Sequence, residues 1–181
     1  MIFSPKQIIV HHDGVSRKGL SFDIINQYHK DRHYPLSSLG FHCGYHIFIE
    51  RDGTIVRARK IDEIGAHTQG QNYTALGIGL AGNFDEEDPT PEQENALSKE
   101  LSILARTFNI DSTEIIPHRT HAPKTCYGNR LSDTWAQILF LKYEQSRIAN
   151  ALNDLGATPI AATKKKASGL KEKIIRVIKG I

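Results

Sequence analysis

Residues 118–126 of this 181-residue chain read HRTHAPKTC. Two imidazoles, one ammonium and one of only two cysteines share nine positions, and Pro123 stiffens the segment. His118 and Cys126 stand eight residues apart in a loop that follows the short apolar run EIIPH. Imidazole nitrogen and thiolate sulfur together suit zinc, which takes both in tetrahedral geometry. Two ligands do not hold a catalytic metal, so a third must come from elsewhere. The VHH at 10–12 is the best source, because α/β sheets present functional groups at strand ends. Three protein ligands would leave a fourth position open, which is the catalytic pattern. Spacing alone leaves two other readings open. Cys126 is a small buried hydrophobe beside a loop histidine, or it is a nucleophile with His118 or His121 as base. No helix start clearly follows Cys126 to depress its pKa, which weakens the nucleophile.

The surrounding elements must bring these groups together. QIIVHH (7–12) is apolar and β-branched, as a buried strand should be. Residues 21–35 show helical spacing at Phe22, Ile25 and Tyr28, with Ser21 as N-cap and Pro35 beyond the end. In GYHIFIERDGTIVRARK, Ile47 and Ile49 alternate with His46, Phe48 and Glu50, and Asp52-Gly53 turns the chain into Thr54–Arg59. ALGIGLAGNF (75–84) reads as a buried, glycine-rich strand. Thr90, Pro91 and Gln93 start a helix as a capping box with proline at its first position. Leu97, Leu101, Leu104 and Phe108 form its apolar stripe. A further helix is predicted over 132–152. Strands interspersed with helices predict an α/β domain: a central mixed β-sheet flanked by helices on both faces. The expected organisation is a domain over 1–155, a small-residue linker over 156–169, and a basic amphipathic helix over 170–181.

Composition narrows the function. The net charge of +3 is uneven: residues 164–181 carry seven Lys or Arg and one Glu, so the remaining chain has 16 basic and 19 acidic residues. The main body is close to neutral and gives no electrostatic case for nucleic-acid binding. In the tail, Leu170, Ile174, Ile175, Val177, Ile178 and Ile181 fall on one side of a helix, with Lys173, Arg176 and Lys179 on the other and Lys171 at the edge. That pattern suits an anionic membrane surface, docking on the domain, or a tail disordered in water. Two cysteines make no disulfide framework. The opening MIFSPKQIIVHHDG has only a short apolar run broken by histidines, so neither a secretory signal nor a membrane span is expected.

IIVHH, GYHIFIERDGT, GAHTQGQN, ALGIGLAGNF and PHRTHAPKTC occur in that order. Together they resemble the zinc N-acetylmuramoyl-L-alanine amidase family, which includes phage endolysins, bacterial cell-wall amidases and animal peptidoglycan recognition proteins. The resemblance spans roughly residues 5–140. It implies Zn2+ held by His11, His118 and Cys126, an active-site Tyr45 and Lys124, and a groove-lining His67. His42 and Cys43 match no family role. Recycling amidases of the superfamily have a glutamate where this chain has Gly79, and an aspartate where it has Cys126, so the chain is most similar to the phage and peptidoglycan-recognition branch. The stretch DRHYPLSSLGFHCGYH is longer than in the shortest phage enzymes and is expected at the groove rim.

The resemblance implies hydrolysis of the amide between the lactyl group of N-acetylmuramic acid and L-alanine in peptidoglycan. The chain is expected to act as a monomeric endolysin, made in the cytoplasm and acting on the cell wall after release. The competing expectation is a non-catalytic recognition module that binds peptidoglycan without cleaving it. Cys126, Tyr45 and Lys124 count against that alternative.

Overall fold

The computed structural model describes residues 3–16, 21–154 and 161–179, with side chains of the last segment described at 168–177. Five strands form one sheet in the order β3-β2-β4-β1-β5. They are β1 (Gln7–His12), β2 (Ile47–Ile49), β3 (Ile55–Arg57), β4 (Ala75–Leu80) and β5 (Ile115–Pro117). Only the β2–β3 hairpin is antiparallel. The helices are α1 (Phe22–Asp31), α2 (Pro91–Phe108), α3 (Trp135–Asp154) and α4 (Ala161–Lys179).

The sheet has a core on each face, which is the mixed α/β architecture expected. Ile8, Val10, Ile47, Ile49, Leu76, Ile78 and Leu80 pack with Leu97 and Leu101 of α2 and with Phe140 and Leu141 of α3. On the other face Phe48 packs with Phe22 and Ile25 of α1, and with Cys43 and Tyr45. Alternation along β2 therefore does not separate core from solvent. Ile47, Phe48 and Ile49 are all fully buried because both faces are covered.

The capping box of α2 forms as read: Gln93 N–H donates to Thr90 Oγ1, and Thr90 N–H donates to Gln93 Oε1, each at 3.1 Å. The start of α1 differs. The Ser21 side chain makes no cap bond to the helix. Instead the buried Glu50 carboxylate accepts from Ser21 N–H and Phe22 N–H, each at 2.7 Å. A carboxylate there satisfies free helix N–H groups and meets the positive end of the helix dipole. Glu50 lies 28 residues further along, so no local pattern announces it.

The C-terminal segment also differs. Residues 161–169, expected as linker, are the first half of α4. Ala161, Ala162 and the three lysines after Thr163 are strong helix formers, which outweighs one glycine at 169. Residues 156–160 of the linker and 180–181 of the tail lie outside the described residues. Leu170, Ile174 and Val177 pack against the main core, and Lys173 Nζ donates to Asp111 at 3.0 Å. The described apolar stripe of α4 is thus turned onto the domain, with Ile175 left half-exposed. Among the described residues no helix is long and apolar enough to cross a membrane.

Candidate metal centre and active site

The sheet register creates the site. β1 and β5 run parallel, with Ile8 beside Ile115, Ile9 beside Ile116 and Val10 beside Pro117. One step further along both strands stand His11 and His118. Their rings lie 4.4 Å apart between centroids. Both sit at the carboxyl ends of parallel strands, where such sheets present functional groups.

A loop returns Cys126 to this pair. His118, His11 and Cys126 are buried, and one ligand atom from each lies within 4.8 Å of the others. Arg119 ties the loop: its backbone N–H donates to the Cys126 carbonyl at 2.8 Å. Its guanidinium donates to the carbonyls of Thr125, Gly128 and Leu131 at 3.2, 2.7 and 2.7 Å, and pairs with Asp133. Asp85 holds the same loop from outside, accepting from Thr125 Oγ1 and Asn129 N–H at 2.7 Å each. His12 N–H points at the Cys126 sulfur, 3.4 Å away.

The electrostatics favour a metal over a free nucleophile. Burial pushes the Cys126 thiol up to about 12, the reverse of the depression a nucleophilic cysteine needs. A bound cation would reverse this, because a coordinating thiol is deprotonated. Burial, then the Lys124 charge, lowers His118 to about 4, and burial, then His67 and His118, lowers His11 well below its ordinary value. Both imidazoles stay neutral, with a lone pair to offer. Two neutral imidazoles and one thiol, buried and convergent, fit zinc in donor type and number.

Tyr45 and Lys124 flank the triad. The Tyr45 ring is buried 5.0 Å from the His11 ring, and burial, then Cys126, raises its phenol well above 10, so it remains a proton donor. Lys124 is exposed and borders two hollows. The smaller, about 280 Å³, contains the three ligands and Tyr45. The larger, about 810 Å³, is lined by four histidines and Lys124 with no carboxylate, and both include Tyr34, His67 and His118. His33, Tyr34 and Pro35 from the long stretch before Tyr45 line the larger one, as expected of a rim.

Two glycines of β4 make this arrangement possible. On the face opposite Leu76, Ile78 and Leu80, a Cβ at Gly79 would lie 2.5 and 2.6 Å from ring carbons of Tyr45. A side chain at 79 and the Tyr45 ring in this position exclude each other. A Cβ at Gly77 would lie 2.5 Å from the His67 ring.

The remaining histidines of this face serve the scaffold. His29 Nδ1 accepts from Gly44 N–H at 3.1 Å, and its ring stacks on Tyr34 at 4.4 Å. His46 Nδ1 accepts from Gly77 N–H at 3.0 Å, while Nε2 lies 2.8 Å from the Glu63 carbonyl. Cys43 is fully buried and His42 bonds the Tyr34 carbonyl. Arg119, Asp85 and Thr68 escaped sequence reading, since each acts through a fold contact. The alternate glycines in ALGIGL were the one legible signal of crowding on that face.

A family model described as N-acetylmuramoyl-L-alanine amidase matches residues 3–129. The chain is 36% identical over 107 residues to the endolysin of Enterobacteria phage K11, covering 56% of this chain and 66% of that relative, a little under two thirds of its length. It is 33% identical to the endolysin of Klebsiella phage KP32, covering 61% and 72%. The fold is similar to the amidase LysC from Clostridium intestinale URNW, with a TM-score of 0.61 and 33% identity over 71% of this chain and 80% of that one. With the motifs, the sheet and the triad all agreeing with a match over residues 3–129, the chain belongs to the N-acetylmuramoyl-L-alanine amidase family.

Proposed function

We propose that this chain is a zinc-dependent peptidoglycan amidase of the phage endolysin type, cleaving the amide between N-acetylmuramic acid and L-alanine. The observation that carries the reading is the buried His11–His118–Cys126 triad at the base of an open groove. When bound, zinc supplies Lewis acidity and brings the pKa of water to about 7.

The chain's own residues would do the rest. Lys124 sets a positive charge at the lip of the triad, where it opposes negative charge developing on the scissile carbonyl. Tyr45 stays protonated and offers a hydrogen-bond donor beside His11. The histidine-lined hollow without carboxylates suits a stem peptide that carries its own. Relatives named as endolysins support action on the cell wall, which the chain would reach after release from the cytoplasm.

Mass spectrometry of digested cell walls tests the bond. Free muramoyl lactyl groups and new L-alanine N-termini are expected, while cleavage within the glycan or between later peptide residues would refute the assignment. Cys126→Ser should lose zinc and hydrolysis while keeping the fold, since a hydroxyl is a far poorer zinc ligand than thiolate. Full activity in the metal-depleted variant would sink the zinc reading.

A further inference from the structure

His67 does more than line the groove. Its ring stands edge-on to the His11 ring, 5.2 Å between centroids, with Nδ1 3.2 Å from His11 Nε2. Its other nitrogen, Nε2, lies 3.3 Å from the Ala75 carbonyl. Thr68 Oγ1 completes the cluster, 3.0 Å from His67 Nδ1 and 3.4 Å from His11 Nε2.

The proton positions follow from these contacts. A carbonyl only accepts, so Nε2 of His67 carries the hydrogen. A neutral imidazole then offers a lone pair at Nδ1. A second lone pair on His11 Nε2 at 3.2 Å would face it unfavourably, so His11 Nε2 carries a hydrogen and donates. The free lone pair of His11 is therefore on Nδ1. The pocket for the His67 ring is built by missing side chains: a Cβ at Gly77 would lie 2.5 Å from it, and one at Gly65 2.6 Å.

We propose that His67 is a positioning residue for the metal centre. Through the relay Ala75 carbonyl, His67, His11, it holds His11 in the Nε2–H tautomer and aims Nδ1 at the metal. Ligating histidines usually hand their second N–H to an acceptor that fixes tautomer and ring orientation. Here that acceptor is another imidazole, anchored to β4 next to β1. The inference rests on the metal reading of the triad.

The test compares zinc affinity, by competition with a chromogenic chelator, for the full chain, His67→Ala and His67→Asn. His67→Ala should weaken zinc about 10–100-fold, and His67→Asn, whose Oδ1 stands where Nδ1 stood and can still accept from His11, should recover part of the loss. At saturating zinc, KM for a soluble muropeptide should change less than zinc affinity does. Ring 15N–1H correlations of His11 should show Nε2–H in the metal-free and zinc-loaded chain. Unchanged zinc affinity in His67→Ala with a raised KM would make His67 a substrate contact and overturn the proposal. An Nδ1–H tautomer for His11 would overturn it too. If the full chain takes up no zinc, the metal reading itself has failed and takes this inference with it.

Discussion

Gly79→Ala is the smallest change that tests how the site is built. The added Cβ would meet Tyr45 Cδ2 at 2.5 Å, Tyr45 Cε2 at 2.6 Å and Phe48 Cδ2 at 3.0 Å. Comfortable carbon contacts lie near 3.5–4.0 Å, so the tyrosine ring must retreat by about 1 Å. The ring is buried against His11, His29 and Phe48 and borders the smaller hollow, so it must shift against these neighbours or into the site. Overpacking of this kind costs about 1–3 kcal/mol, or roughly 2–12 °C in Tm for a chain of this size. Under the catalytic role proposed for Tyr45, a displacement of about 1 Å can cost on the order of 10²-fold in rate. The expected result is a folded protein that keeps its zinc, loses about 100-fold in kcat/KM, and melts a few degrees lower. A double-mutant cycle isolates the cause: in a Tyr45→Ala background, where the ring is gone, Gly79→Ala should cost little more in either quantity. Equal losses in both backgrounds, or wild-type turnover in Gly79→Ala, would refute the steric argument.

Lys124→Ala should lower kcat with zinc content unchanged, and a rise in KM alone would make Lys124 a substrate-binding residue instead. Burial holds both His29 and His46 at about 4, against about 6.5 in an unfolded chain. The unfolded state takes up these protons first, so their contribution is complete above pH 6.5 and is lost as pH falls toward about 4, on the order of 3 kcal/mol for each. Urea unfolding of the metal-free protein at pH 7 and 4.5 measures the loss, and it should shrink in His46→Gln; an identical loss in that variant would refute the assignment. Truncation after residue 160 removes the buried Ile174 and the partly buried Leu170 and Val177. Burying one such side chain is worth about 1.5–3 kcal/mol, so calorimetry should show a Tm lower by several degrees. An unchanged Tm would mean that α4 is not part of the folded domain.

Much of the chemistry is legible in the sequence itself, because it resides in residue types that have few other uses at that spacing. An imidazole and a thiol across a proline-stiffened loop, with VHH at a strand end, already suggest a metal. The capping box of α2 and the hairpin at Asp52-Gly53 are local too, set by contacts within four residues. Tertiary structure decided what depends on distant neighbours. Only the parallel β1–β5 register brings His11 beside His118, and the fold contacts of Arg119 bring Cys126 to them. Glu50 looked like the polar side of a strand and is instead the buried cap of α1, because a second layer covers that face. The linker expected at 161–169 is helix, continuous with the turns of α4 whose Leu170, Ile174 and Val177 pack on the domain, and that docking is invisible in a run of small residues and lysines. The bond between His67 and His11 joins residues 56 apart, and only folding sets that distance.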